Sequence, residues 1–408
     1  MHILFFTHYF PPEVNAPASR TYEHCKEWVK NGHDVTVITC VPNHPKGKVY
    51  PGYKNKLVQK EVIDGINVIR LWTYITANEG FIKRTLNYVS YLLSVVFYIP
   101  FLPRYDVFVS TSPQFFCGLS GYFVKLIRRK PWIIEIRDLW PESIIAVGAI
   151  KNRRIISILE YMENLIYKKS DHIVPVTDSF KQYMLDKGIV ESKITVIKNG
   201  VDLDFYQPDS IEKTMEYGEA LINKFVASYV GTHGMAHHLE TILEAAEILK
   251  DRDDILFLMV GSGAEKDKLL KLKEKMSLNN VMMLDQQAKD KMPLLWALSD
   301  VSLVLLKRSD LFKSVIPSKI FESMAMKKPI ILGVEGEVKG MIEDGQSGIT
   351  IEPENAQELA VAIIELADNK IKYNQCAENG HEYVSKHYDR KVLASRFESI
   401  MMGYVTKD

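Results

Sequence analysis

One carboxylate, Glu322, sits with Lys319 inside the otherwise apolar stretch VIPSKIFESMAMKKPII, residues 315–331. Ile320, Phe321, Met324 and Ala325 recur at helical spacing and can face a core. Glu322 falls on the side shared by Lys319 and Met326. Pro317 and Ser318 read as a helix start, because proline fixes φ and a serine hydroxyl caps free amides. A helix start carries unpaired N–H groups and the positive end of a dipole, which suits a phosphate. On this stretch alone, a capped core helix with one solvated glutamate fits equally well.

Other candidates stand at similar places. In YVGTHGMAHHLETIL, Gly231 and Gly234 follow a strand-like run, and His233, His237 and His238 gather at the entrance of a helix. His233 and His237 are at i,i+4, but H-E-x-x-H is not formed, and phosphate or sugar hydroxyls suit a glycine-rich helix entrance better than a metal. VGSG at 260–263 either makes a turn or lets backbone approach a ligand. EIRDLWPES places Arg137 and Asp138 at a strand end, where an arginine binds phosphate or carboxylate in bidentate fashion or simply pairs with its neighbour. There is no G-x-S-x-G elbow, no P-loop and no Cys–His nucleophile pair. The chemistry on offer is phosphate binding without a covalent nucleophile and without a metal.

These residues need elements to hold them. HILFFT, DVTVITC, YDVFVST, PWIIEIRD and DHIVPVT read as buried strands separated by helical segments. A second series runs through KFVASYVGT, ILFLMVGSG, VMMLD, VSLVLL and PIILGV, and the two join near NGVDLDFYQPDS. The expected fold is α/β, two doubly wound Rossmann-like domains facing across a cleft. The expected division is 1–200, with a C-terminal helix 388–408 packing back on it, and 201–387. Ligands of such sheets sit beyond the carboxyl ends of the strands, so residues 7–16, 137–142, 231–238, 261–263 and 308–322 carry the information.

At 408 residues the chain is too long for one ordinary core, and its 47% hydrophobic and 25% charged residues suit a globular protein. Its four cysteines show no metal-ligand or disulfide spacing, which fits a reducing cytoplasm. The opening MHILFFTHYFPP is too short an apolar run for a secretory leader. Residues 1–205 hold 26 Lys and Arg against 19 Asp and Glu, a balance of +7, so the remainder stands at −7. A basic first half meets something anionic. YVSYLLSVVFYIPFLP, residues 88–103, is too short and too proline-broken to span a bilayer; it reads as a buried helix, or one lying at a membrane surface beside Lys83, Arg84 and Arg104.

Three segments together resemble the retaining nucleotide-sugar glycosyltransferases of family 4, with the GT-B architecture. In VIKNGVDLDFYQP, Asn199, Gly200, Val201, Asp202, Phe205 and Pro208 match that family's domain-junction pattern. FPPEVNAPASRTYEHCKEWVKNGHDVTVIT is similar to its N-terminal signature, with Asn15-Ala16 where two glycines are usual. LSDVSLVLL followed by SKIFESMAMKKPII resembles its donor-binding motif, with Glu322 as the second glutamate and Ser314 where the first is usual. Among its members, the chain looks most like those of bacterial O-antigen and colanic-acid assembly, L-fucosamine transferases included.

The resemblance implies that Glu322 holds the donor's ribose hydroxyls while Val315 to Lys319 cradle the diphosphate, Ile316, Pro317, Ser318 and Lys319 among the donor-binding residues. Asn15, Gly231, Thr232, Gly234, Gly261, Gln287 and Arg308 complete the implied donor site. Arg137, Asp138, His233 and Lys319 are the implied catalytic group. The family's usual Arg and Lys of the diphosphate site align with Thr232 and His237, so Arg308, Lys313 and Lys319 are candidates for the missing charge. The implied reaction is metal-independent and cofactor-free transfer from a UDP-sugar, with retention, to a lipid-linked (polyprenyl diphosphate) saccharide. The enzyme would work at the inner face of the plasma membrane through its N-terminal domain, with no nucleic-acid partner. A GT-B nucleotide-sugar 2-epimerase and a catalytically inactive nucleotide-binding partner protein are the alternatives.

Overall fold

The apolar run His2–Phe6 forms strand β1, and helix α1 (Ala16–Lys30) starts where Asn15 accepts a hydrogen bond from the Ala18 amide at 2.9 Å. Strand β2 (Asp34–Cys40) returns parallel to β1, with Ile3 opposite Val35 and Phe5 opposite Val37. In this computed structural model, residues 1–13, 15–44, 46–76, 81–112, 114–146, 150–211 and 217–405 are described. They divide into two units, Met1–Lys198 with Arg390–Asp408, and Asn199–Asp389.

The first unit continues with β3 (Val58–Ile63), β4 (Ile66–Leu71), α2 (Phe81–Tyr98), β5 (Val107–Thr111), α3 (Phe115–Arg128), β6 (Trp132–Ile136), α4 (Glu142–Ala146), α5 (Arg153–Lys169), β7 (His172–Pro175) and α6 (Asp178–Asp186). Its sheet runs β3-β4-β2-β1-β5-β6-β7, all parallel except β3. The β3–β4 hairpin was not among the expected strands. Its signal is Asp64-Gly65, whose φ values of 47° and 79° are those a two-residue hairpin turn requires. Strands β5, β6 and β7 are buried along their whole length, which explains their unbroken apolar runs.

The second unit holds α7 (Ala220–Asn223), β8 (Phe225–Val230), α8 (Glu240–Ile248), β9 (Ile255–Val260), α9 (Lys266–Lys275), β10 (Val281–Leu284), α10 (Met292–Leu298), β11 (Val301–Leu305), α11 (Lys319–Ala325), β12 (Ile330–Gly333), α12 (Glu337–Asp344), β13 (Gly348–Thr350), α13 (Ala356–Asp368) and α14 (Lys370–His387). Its sheet is wholly parallel, in the order β10-β9-β8-β11-β12-β13. Helix α15 (Arg390–Val405) belongs to the first unit, where it lies on α1 and the Trp28 indole donates to the Ala394 carbonyl at 3.0 Å. Residues 406–408 of the expected C-terminal helix lie outside the described residues.

Both units are thus doubly wound α/β domains. In each, the strand order reverses at its first strand, between β1 and β5 and between β8 and β11. At such a point the loops after neighbouring strands diverge to opposite faces of the sheet and leave a crevice at its carboxyl edge.

Candidate functional site

Because β8, β9, β10 and β11 run parallel, the loops after them share one edge of the second sheet. Gly231, Thr232, His233 and Gly234 follow β8, Gly261 follows β9, and Gln287 follows β10. Arg308, Ile316, Pro317 and Ser318 follow β11, and Lys319 and Glu322 open α11. Backbone hydrogen bonds tie these loops together. The His233 amide donates to the Ser262 carbonyl at 2.9 Å, the Glu265 amide to the His233 carbonyl at 2.9 Å, and the Lys307 amide to the Ala236 carbonyl at 2.8 Å. The approach is close enough to demand glycine, since a β-carbon on Gly261 would stand 1.8 Å from the Gly231 carbonyl oxygen.

Lys319 lies at the centre of this edge. Its Nζ is buried 3.6 Å from the centroid of the Tyr229 ring and has no hydrogen-bond partner among the described residues. A β-carbon on Gly231 would come within 2.9 Å of that nitrogen, so the ammonium lies directly against the loop after β8. Burial, opposed by Glu322, lowers the Lys319 pKa to about 7.

Glu322, one turn along α11, accepts a hydrogen bond from the Trp296 indole at 3.2 Å and another from the Tyr206 hydroxyl. Burial raises its pKa, and these two donors together with Lys289 and Lys319 oppose the rise. His233 is fully buried, and neither ring nitrogen has a partner among the described residues. Burial, then Lys266, Lys319 and His237, lower its pKa to about 4, so it is neutral near pH 7. His237 is lowered by burial and by Lys319, and its Nδ1 lies 3.3 Å from the Leu305 carbonyl oxygen. Tyr229, Trp296, Tyr206 and Lys289 were not singled out from the sequence. Aromatics inside apolar runs read there only as core.

Several expectations are corrected here. Ser318 makes no side-chain cap and has helical φ and ψ of −60° and −26°, so its hydroxyl does not satisfy the first amides of α11. Met326, assigned to the open side with Glu322, is buried, because the helix ends at Ala325 and the next residue turns into the core. Arg308 pairs with Glu352 at 2.6 Å, and Lys313 pairs with Asp310 at 2.7 Å and Glu335 at 3.4 Å. Carboxylates on neighbouring loop residues have claimed both cations, and of the three only half-buried Lys319 holds its nitrogen buried. Gln287 donates to the Asp285 carbonyl at 3.0 Å and accepts from the Tyr217 hydroxyl at 3.2 Å.

In the first unit, Arg137 donates to the carbonyls of Pro17 at 3.2 Å and Ala16 at 3.1 Å, joining the end of β6 to the start of α1. It makes no pair with Asp138, which accepts from the Ser143 hydroxyl at 3.2 Å and is raised in pKa by burial. Behind it, Arg20 donates to buried Glu135 at 2.8 Å, and Thr111 donates to the same carboxylate at 2.6 Å. Burial opposes ionisation of Glu135, but Arg20 and Arg137 outweigh it and bring the pKa to about 2. Asn15 serves as the cap of α1, with its Nδ2 buried and unpartnered among the described residues. Glu13, also missed, accepts from the amides of Asn43 and His44 at 2.9 Å each and so ties the loop after β1 to the loop after β2. Among the described residues no three of His, Cys, Asp and Glu are grouped to hold one metal ion.

Residues 18–205 match the family model described as Glycosyltransferase Family 4, and residues 212–383 match that of Glycosyl transferases group 1. The chain is 24% identical to an Escherichia coli (strain K12) protein named as a colanic acid biosynthesis glycosyl transferase, over 99% of this chain and 100% of that one. It is 25% identical to the N,N'-diacetylbacillosaminyl-diphospho-undecaprenol alpha-1,3-N-acetylgalactosaminyltransferase of Campylobacter jejuni, over 59% of this chain and 62% of that protein. In structure it is similar to HepE of Anabaena solved in complex with UDP-glucose, with a TM-score of 0.71, 17% identity, and 99% and 100% of the two chains covered.

Proposed function

From a chain that joins a family 4-type glycosyltransferase domain to a group 1 glycosyltransferase domain, and is therefore a GT-B glycosyltransferase, we propose a retaining, metal-independent transfer from a UDP-sugar to a lipid-linked saccharide. The sugar is an N-acetylated amino or deoxyamino hexose, the acceptor a polyprenyl diphosphate saccharide, and the process bacterial O-antigen, capsule or exopolysaccharide assembly. The observation that carries this reading is Lys319, whose buried Nζ has no hydrogen-bond partner among the described residues, one helical turn from the oriented carboxylate of Glu322.

A buried cation without a partner is costly unless an anion completes it. A nucleoside diphosphate supplies that anion, and its ribose supplies the two hydroxyls that a carboxylate can accept. Lys319 then stands in for the cations usual at Thr232 and His237, with Gly231 and Gly261 letting the loops after β8 and β9 close tightly around its ammonium. Charge on the departing diphosphate is met by Lys319, and no side chain is asked to act as covalent nucleophile. Attack comes from the face the leaving group departs, and that phosphate accepts the acceptor's proton. Arg137 and Asp138, at the end of β6 in the first unit, and His233, after β8 in the second, are the other proposed catalytic residues, each within its own unit. The Campylobacter protein, named for its diphospho-undecaprenol acceptor, and the Anabaena protein, solved with UDP-glucose, support a diphospholipid acceptor and a UDP-sugar donor respectively.

Membrane attachment is proposed for the first unit. No described helix is long and apolar enough to cross a membrane. Yet α2 packs on α3 and α3 on α5, and these helices expose Leu93, Phe97, Leu126, Ile127, Ile158 and Tyr161, with exposed Lys83, Arg129, Lys130, Arg153 and Arg154 at or just past their ends. Apolar side chains flanked by cations suit an anionic lipid surface, here the inner face of the plasma membrane.

The test is incubation with UDP-N-acetylhexosamines and UDP-deoxyaminosugars, with and without polyprenyl diphosphate saccharide, followed by mass spectrometry. Transfer, or slow donor hydrolysis without acceptor, is expected. Formation of a 2-epimer, or binding without turnover of any donor, overturns the reading.

A further inference from the structure

We propose that binding of the diphosphate at the second unit is coupled to uptake of a proton by Lys319, so that the ligand charges its own site. The inference rests on the donor reading above and adds to it how the site is regulated by pH. Its basis is geometric. The Lys319 Nζ is buried against the Tyr229 ring, 3.6 Å from its centroid, and meets no hydrogen-bond acceptor among the described residues. A ring face attracts a cation, but it replaces only part of the hydration that a buried amine has lost.

The groups around Lys319 do little to hold its charge. From β8, the Tyr229 hydroxyl is committed to the Thr232 carbonyl at 2.8 Å. From the loop after β8, His233 and His237 are kept neutral, first by burial and then by the positive charges near them, Lys319 included. From α11 itself, Glu322 favours the ammonium, but its carboxylate is already engaged by Trp296 and Tyr206. From α9, Lys266 adds positive potential at His233 while its own ammonium donates to the carbonyls of Gly261 and Leu284. The balance leaves Lys319 titrating at about 7 when the site is empty.

A diphosphate brings negative charge to Nζ and returns the lysine toward its ordinary, higher pKa. The group is then largely deprotonated above pH 7 in the empty protein and protonated in the complex, so each binding event takes up a proton. Affinity falls as pH rises through this window. Half of the empty sites are protonated at pH 7 and about one in ten at pH 8, which makes binding about fivefold weaker at pH 8.

Calorimetric titration of the full chain with UDP at pH 8, in HEPES and in Tris buffer, reads the protons taken up from the difference in heat. About one proton per UDP is expected for the unaltered protein, and none for Lys319→Met or for Lys319→Arg, whose guanidinium stays charged. Binding of UDP by the unaltered protein without proton uptake overturns the coupling and leaves the donor reading standing. Equal uptake by Lys319→Met assigns the proton to another group and also overturns it. A protein that binds none of UDP, GDP and dTDP overturns the donor reading itself, and the coupling with it.

Discussion

Glu322→Gln should weaken UDP binding by roughly ten- to a hundredfold. The carboxylate accepts from the Trp296 indole at 3.2 Å and is stabilised by the nearby Tyr206 hydroxyl, so its orientation is fixed while lone pairs remain. In the donor reading these remaining lone pairs accept from the vicinal ribose hydroxyls. A hydrogen bond to a charged group contributes about 1.5–3 kcal/mol net, and 1.4 kcal/mol is a factor of ten in affinity. The amide keeps the shape and one carbonyl acceptor, but loses the charge and the second acceptor, so at least one such bond is lost. Glu322→Ala is a poorer test, because it also strands the Trp296 and Tyr206 donors, at about 1–3 kcal/mol of stability for each buried group left unsatisfied. The assay is calorimetry with UDP and with its 2′,3′-dideoxy analogue. The variant should lose affinity for UDP and little for the analogue, which has no diol to offer. Equal losses for both ligands, or UDP affinity unchanged with the fold intact, would remove Glu322 from the ribose site.

The first unit should lose stability below pH 6.5. Burial lowers His24 to about 3, aided by Arg20, so unfolding at pH 5 takes up a proton that folding excludes. Over the 1.5 units from 6.5 to 5 this amounts to about 2 kcal/mol, and His24→Phe, which keeps an aromatic ring against Trp28 and Phe397, should remove that part of the pH dependence of urea denaturation; an unaltered slope refutes the assignment. Gly231→Ala should displace the Lys319 ammonium, since the new carbon would lie 2.9 Å from Nζ, and should weaken UDP binding at least tenfold; wild-type affinity would show that the lysine can yield without cost. Transfer should survive EDTA, and activity abolished by the chelator and restored by Mg²⁺ or Mn²⁺ would refute metal independence.

Most strands of both sheets were legible because parallel strands buried on both faces leave unbroken apolar runs, as in Ile255–Val260, whereas β13 (Gly348–Thr350), three residues long and only half-buried, was not. The β3–β4 hairpin escaped for the opposite reason. Val58–Ile63 alternates between exposed and half-buried positions, so its composition is mixed and only the Asp64-Gly65 turn betrays it. In the candidate site, the residues that follow strands could be found from position alone, since the carboxyl edge of a doubly wound sheet gathers them. Their partners could not. That Arg308 turns to Glu352, 44 residues away, depends on two loops whose relative placement no local pattern encodes. The same holds for Trp296 and Glu322, which meet across 26 residues through helix packing.

The proposed cation on α11, in place of one on the loop after β8, changes what the rest of the site must provide. A lysine reaching from the helix ends against Gly231, where a β-carbon would come within 2.9 Å of its nitrogen, and its ammonium rests on the Tyr229 ring. The pKa falls from 10.5 to about 7, so the charged form is disfavoured by about 5 kcal/mol relative to a solvated lysine. A desolvated cation over an aromatic face recovers about 2 kcal/mol, which is too little to hold the proton firmly and enough to hold the side chain in place. Orientation is therefore fixed before the ligand arrives, whereas charge is not. Thr232 and His237, neither carrying a fixed positive charge, fit this arrangement: a permanent cation at either position would repel the proton that Lys319 must gain when an anion binds.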